Sequence, residues 1–134
     1  MYKVAFIADG KTEIITEIDP WGESEHMSGL AAQALKYIRD HSAESISLSD
    51  VADSVYVSRW HMSRIIHNEM GTNFRDLVNK VKIEKAIELL QHPEMQICEV
   101  AWKVGFDDPA HFTRAFKKVT GMTARDWRRT SGIR

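Results

Sequence analysis

The chain has 134 residues, 43% of them hydrophobic and 28% charged, with a formal net charge of −1 and one cysteine. That length suits one domain or two very small ones, no apolar run approaches the roughly 18 residues of a membrane span, and a lone cysteine excludes an internal disulfide and a cysteine-rich metal site. The N-terminal MYKVAFIADG shows no secretory signal, so the expected setting is a reducing cytoplasm with no membrane partner.

The net charge hides an asymmetry. Residues 1–28 carry Lys3 and Lys11 against six acidic residues, a balance of −4, whereas residues 29–134 carry 16 Lys and Arg against 13 Asp and Glu, a balance of +3. Within the acidic leader, KVAFIADGKTEIITEI places two β-rich runs around Asp9-Gly10, a two-residue hairpin signal. A lone hairpin is marginal in water, which points to packing, pairing with a second copy, or the trailing edge of a larger domain. DPWGESEHMSG, residues 19–29, reads as a linker.

From Gly29 onward the pattern is helical. Leu30, Ala34 and Ile38 are four apart and predict a helix ending near His41. Ser47 to Asp50 forms a capping box ahead of a short helix with Val51, Ala52 and Val55. Ser58 caps RWHMSRIIHNEM, which stops at Gly71. A long helix follows over about 74–90, with Pro93 beyond its end. Ile97 to Val104 makes another short helix. Asp108 then caps a helix with Pro109 at its first position, where the missing N–H costs nothing, and Gly121 closes it. Thr123 and Asp126 suggest a last cap before a short terminal helix.

Two of these stretches repeat. Val51, Ala52 and Val55 match Val100, Ala101 and Val104 at an offset of 49, and Ser58, Met62, Arg64, Ile66 and Gly71 match Asp108, Phe112, Arg114, Phe116 and Gly121 at 50. One residue inserted in the turn reconciles the offsets. The repeated unit is a short helix, a turn, a capped helix and a glycine, which is a helix-turn-helix. In such a unit the second helix enters the major groove, and two units facing one way could read successive grooves about 34 Å apart. The expected fold is all-α. A first subdomain covers about 29–72, a long linker helix about 74–90 and a second subdomain about 95–130, behind a hairpin-like leader over 1–28.

At Ile97, Val100, Ala101, Gly105, Phe106, Phe112, Arg114, Phe116, Lys117, Lys118, Gly121, Thr123, Trp127 and Arg128 the second unit carries a long family pattern. On these residues the chain resembles the AraC/XylS family of bacterial transcription regulators, over about Leu30 to Arg128. Ala124 stands where proline is usual, which is expected to loosen the start of the last helix. Lys82 stands where arginine is common, which is expected to weaken a bidentate contact. The resemblance implies double-stranded DNA as partner, activation more often than repression through RNA polymerase, and a regulatory domain ahead of this one. It also implies base readers on the outer early turns of each capped helix. These are Arg59, Trp60, Ser63 and Arg64 in the first unit and Pro109, Ala110, Thr113 and Arg114 in the second. Later residues, His67, Lys117, Lys118 and Arg128, would serve phosphates.

Plainer roles compete at several positions. An arginine on a helix surface is usually just solvated, and only the matched places of Arg64 and Arg114 raise them above that. Trp60 could instead be core, though less often than not. Trp102 and Phe106 read as core, Cys98 as inert packing, and Glu84 and Glu88 as a solvated face. His61 and His111 lack a third ligand and do not suggest a metal pair, and no cofactor or catalytic residue is expected. A helix-turn-helix that binds protein instead of DNA is the main rival. A DNA-repair enzyme with a similar module would need an activated cysteine, and Cys98 has no basic cluster around it.

Overall fold

The computed structural model describes the backbone of residues 2–6 and 12–16, and residues 29–130 with their side chains. Tyr2–Phe6 (β1) and Thr12–Thr16 (β2) pair antiparallel, with Tyr2 opposite Thr16 and Phe6 opposite Thr12. The Asp9-Gly10 turn and residues 19–28 of the linker lie outside the described residues. Beyond them, seven helices follow among the described residues: Gly29–His41 (α1), Leu48–Ser54 (α2), Arg59–Met70 (α3), Phe74–Leu89 (α4), Ile97–Lys103 (α5), Pro109–Thr120 (α6) and Ala124–Thr130 (α7). The backbone divides into two units, Asp19–Val81 and Met1–Ile18 with Lys82–Arg134, so that α4 contributes to both.

In the unit built on α1, α2 and α3, Ala34, Leu35 and Ile38 of α1 meet Val51 and Ala52 of α2, Met62 and Ile66 of α3, and Leu77 and Val81 of α4. Burying each of the larger side chains contributes roughly 1.5–3 kcal/mol. The start of α2 is held by a complete capping box. The Asp50 N–H donates to Ser47 Oγ at 3.1 Å, and the Ser47 N–H donates to Asp50 Oδ2 at 2.8 Å, which satisfies donors that the first turn leaves unpaired.

The second unit repeats this plan with larger side chains. Ile83, Ala86, Ile87 and Leu90 pack with Val100, Ala101 and Val104 around α5, Phe106, Phe112 and Phe116 around α6, and Trp127 of α7. Phe112 sits between two ring neighbours, 5.4 Å from Phe106 and 5.6 Å from Phe116 between centroids, within the range of favourable aromatic pairs. The apolar residues of α4, with Leu90 just past its end, thus fall into two sets, Leu77 and Val81 for one core and Ile83, Ala86, Ile87 and Leu90 for the other. The sets are out of helical phase, so no single apolar stripe runs the length of this helix.

Trp102 and Cys98 are corrections to the expected core. Val100, Ala101 and Val104 are buried at helical spacing, and Trp102, two positions past Val100, is turned about 200° away from it. The indole is 73% exposed. Cys98 is also off that stripe and exposed, with Sγ 3.6 Å from Gln96 Oε1. Phe106 is buried as expected.

Candidate nucleic-acid interface

The side chains that could meet a nucleic acid are carried by α3 and α6, twelve-residue helices that begin 50 positions apart. Their inner faces are fixed by matched anchors: Met62, Ile65 and Ile66 are buried on α3, and Phe112, Ala115 and Phe116 on α6. With 3.6 residues per turn, these anchors leave positions 59, 60, 63, 64 and 67, and their counterparts at 109, 110, 113, 114 and 117, on the opposite side. Arg59, Trp60, Ser63, Arg64 and His67 are all exposed, as are Pro109, Ala110, Thr113, Arg114, Lys117 and Lys118. The structure therefore gathers each unit's expected readers on one outward face.

The ends of the two helices are built alike. Ser58 Oγ accepts from the His61 N–H at 3.0 Å, and Asp108 Oδ1 accepts from the Ala110 N–H at 3.0 Å. At the far ends, Gly71 and Gly121 adopt φ of 68° and 84°, and their N–H groups donate to the carbonyls of His67 and Lys117. A side chain on such a residue meets its own backbone, so glycine suits the position. The repeat continues further than residue matching indicates. Asn73 Oδ1 accepts from Asp76 N–H at 2.9 Å and Thr123 Oγ1 from Asp126 N–H at 3.1 Å, starting α4 and α7 in the same way. Leu77 and Trp127, the next matched pair, are both buried.

Two backbone hydrogen bonds recur in the turns into the two helices. The Tyr56 N–H donates to the Asp53 carbonyl and the Val57 N–H to the Ala52 carbonyl; 49 residues later, Gly105 donates to Trp102 and Phe106 to Ala101. Tyr56 and Gly105 hold the same place in this turn, and both have positive φ, 60° and 108°. Sequence matching paired the valines beside them but did not reveal this shared backbone demand.

The two faces differ in chemistry. On α3, the Arg59 guanidinium carbon lies 5.9 Å from the centre of the Trp60 ring, an exposed cation–π contact worth about 0.5–1 kcal/mol. Trp60 itself is 79% exposed, so it is a surface residue and not core. On α6, Pro109 and Ala110 offer only apolar contact, and Thr113 Oγ1 donates to the Pro109 carbonyl at 2.9 Å. Its proton is thereby committed to its own helix, leaving Arg114 as the principal polar side chain on these early turns.

Two cations singled out in the sequence, Lys82 and Arg128, make their hydrogen bonds inside the second unit. Lys82 Nζ donates to the Gly105 carbonyl at 3.3 Å and lies 5.0 Å from the centre of the Phe106 ring. Partial burial pushes its pKa down from the ordinary 10.5, with nearby Asp107 opposing. Arg128 Nε donates to the Leu90 carbonyl and Nη2 to the His92 carbonyl, both at 3.2 Å. That guanidinium satisfies carbonyls just past the end of α4, a packing role beside the phosphate role the resemblance implied. His111 packs edge-on against Phe106, with centroids 5.0 Å apart. Among the described residues, no three of His, Cys, Asp and Glu stand together as metal ligands would, and no helix is long and apolar enough to cross a membrane.

A helix-turn-helix domain family model matches residues 51–130. The regulatory protein PocR of Salmonella typhimurium is 31% identical over 107 residues, covering 80% of this chain and 35% of that protein. The arabinose operon regulatory protein of Escherichia coli is 31% identical over 118 residues, covering 86% of this chain and 40% of that protein. The chain thus spans well under half the length of these curated relatives. Among solved structures, the C-terminal domain of AraT, a response regulator from Geobacillus stearothermophilus, superposes with a TM-score of 0.70 at 39% identity, covering 78% of this chain and 87% of that one.

Proposed function

The chain belongs to the AraC/XylS family of transcription regulators through its helix-turn-helix domain, and from that premise we propose that it regulates transcription by inserting α3 and α6 into successive major grooves of one duplex. The observation that carries the reading is the pair of equally long, identically closed helices whose outward faces hold Arg59 and Arg64 in one unit and Arg114, Lys117 and Lys118 in the other. In this reading Arg64 and Arg114 bond guanine O6 and N7, and Trp60 contacts thymine methyl groups. Arg59 and Ser63 add polar contacts to the first half-site; Pro109, Ala110 and Thr113 add apolar ones to the second. His67, Lys117 and Lys118 bond phosphates and set the register without reading sequence. The protein works in the cytoplasm, has no catalytic step, and activates by recruiting RNA polymerase. Control comes from a regulatory domain or from self-association through β1 and β2.

Selection of bound fragments from genomic DNA, followed by footprinting, tests the reading. The expected outcome is a site of roughly 20 base pairs with two protected major grooves about one turn apart. A single protected groove would contradict the two-reader mechanism. Affinity that hardly changes with salt would favour a protein partner instead, because phosphate contacts make affinity fall steeply with ionic strength.

A further inference from the structure

We propose that Tyr56 is a DNA-contacting residue whose phenol hydroxyl donates to a backbone phosphate at the edge of the groove entered by α3. The inference rests on the DNA-binding reading above and adds to it a residue outside the two reader helices.

Two observations on Tyr56 are hard to reconcile with a purely structural role. Its φ is 60°, a left-handed conformation that bulky side chains rarely adopt because Cβ crowds the backbone. Its side chain is also 95% exposed, so the ring covers no core in return. The second unit shows what the turn itself requires. With the same two backbone hydrogen bonds, its matched residue is Gly105 at φ 108°. A tyrosine kept where the fold favours glycine is an outlier of the kind that marks a function outside the isolated fold.

Its place in the chain indicates the partner. Tyr56 lies two residues before the N-cap Ser58 and four before Trp60. The first residues of a recognition helix are those that reach base edges, so the turn feeding them stands beside the groove wall, where phosphates run. Arg59, Arg64 and His67 are exposed on the adjoining helix, and such a surface complements a polyanion. Tyrosine hydroxyls are among the side chains that bond phosphate oxygens, and the ring can pack on the neighbouring sugar. Gly105 offers no equivalent, so this contact belongs to the first half-site alone.

The test uses the full chain with Tyr56→Gly and Tyr56→Phe, measuring thermal melting and affinity for the selected site and for a scrambled duplex at two salt concentrations. Tyr56→Gly is expected to melt at the same or a higher temperature yet bind both duplexes about three- to tenfold more weakly, the weight of one hydrogen bond. Tyr56→Phe should show most of that loss. The salt slope should stay as in the wild type, because a neutral donor releases no counterion. Methylphosphonates placed one at a time along the first half-site should include one position that weakens the wild type but not Tyr56→Phe. Unchanged affinity in a folded Tyr56→Gly protein overturns the proposal, and a loss confined to the selected site overturns the phosphate assignment in favour of a base contact. A wild-type protein that binds no duplex at low salt would overturn the DNA-binding reading as well.

Discussion

Arg64 and Arg114 stand two residues after their helices' buried anchors, Met62 and Phe112, and both point outward. If both read bases, Arg64→Ala and Arg114→Ala should each cost about 1–3 kcal/mol on the cognate site. Titration against single-base variants should show relaxed preference at one or two pairs in one half-site. Because α6 offers few other polar readers, Arg114→Ala should lose mostly affinity and Arg64→Ala mostly specificity. Lys118→Ala should instead weaken cognate and random DNA alike and make the salt slope shallower by about one. The outward, matched places of these residues were legible in the sequence because a repeat places like side chains at like positions. Lys82 was not, since its acceptor is a carbonyl 23 residues away. Lys82→Met should cost about 1 kcal/mol of stability in denaturant titrations, and Lys82→Arg should recover part of it. The pH dependence has a definite sign. Burial lowers the folded-state pKa below 10.5, so the unfolded chain holds the proton longer and stability should rise with pH between the lowered value and 10.5. Lys82→Arg, charged throughout, should lack that rise in melting curves taken across the window.

At the scale of elements, the caps decide where each reader starts and hence which side chains stand in its first turn. Ser58→Ala and Asp108→Ala should each cost about 0.5–2 kcal/mol of stability, measured by thermal melting. Ser58→Gly should cost only a few tenths of a kcal/mol. An equal loss in the glycine variant would show that the side-chain bond to the His61 N–H, missing from both variants, carries the cost. These starts were readable because Ser47, Ser58 and Asp108 act on N–H groups within three residues of themselves, an entirely local chemistry. The outward turn of Trp102 was not read correctly. An indole is usually found inside, and only the burial of Val100, Ala101 and Val104 shows that α5 turns another face to the core.

For the whole molecule, each unit has its own core and its own capped, outward-facing helix, and the charge balance separates an acidic leader from a basic body. The leader's −4 would repel a duplex, so deletion of residues 1–27 should leave DNA affinity intact or improve it. A gel-shift titration of the truncated protein beside the full chain checks this, with folding confirmed by circular dichroism. A large loss in a folded truncation would mean that the leader helps to bind.

The sequence by itself determined the succession of helices, their caps, the duplication and the outward place of Arg59, Arg64 and Arg114, all of which follow from spacing within one or two helical turns and from the 49–50 residue offset. Tertiary structure decided the rest. It assigned α4 residues to two cores, turned Trp102 outward, committed Lys82 and Arg128 to distant carbonyls, and showed Tyr56 under the same backbone demand as Gly105. The physical reason is the range of the interactions. A cap or an amphipathic stripe is written in neighbouring residues, whereas a long-range hydrogen bond, or the choice of which face to bury, depends on chain segments that only folding brings together.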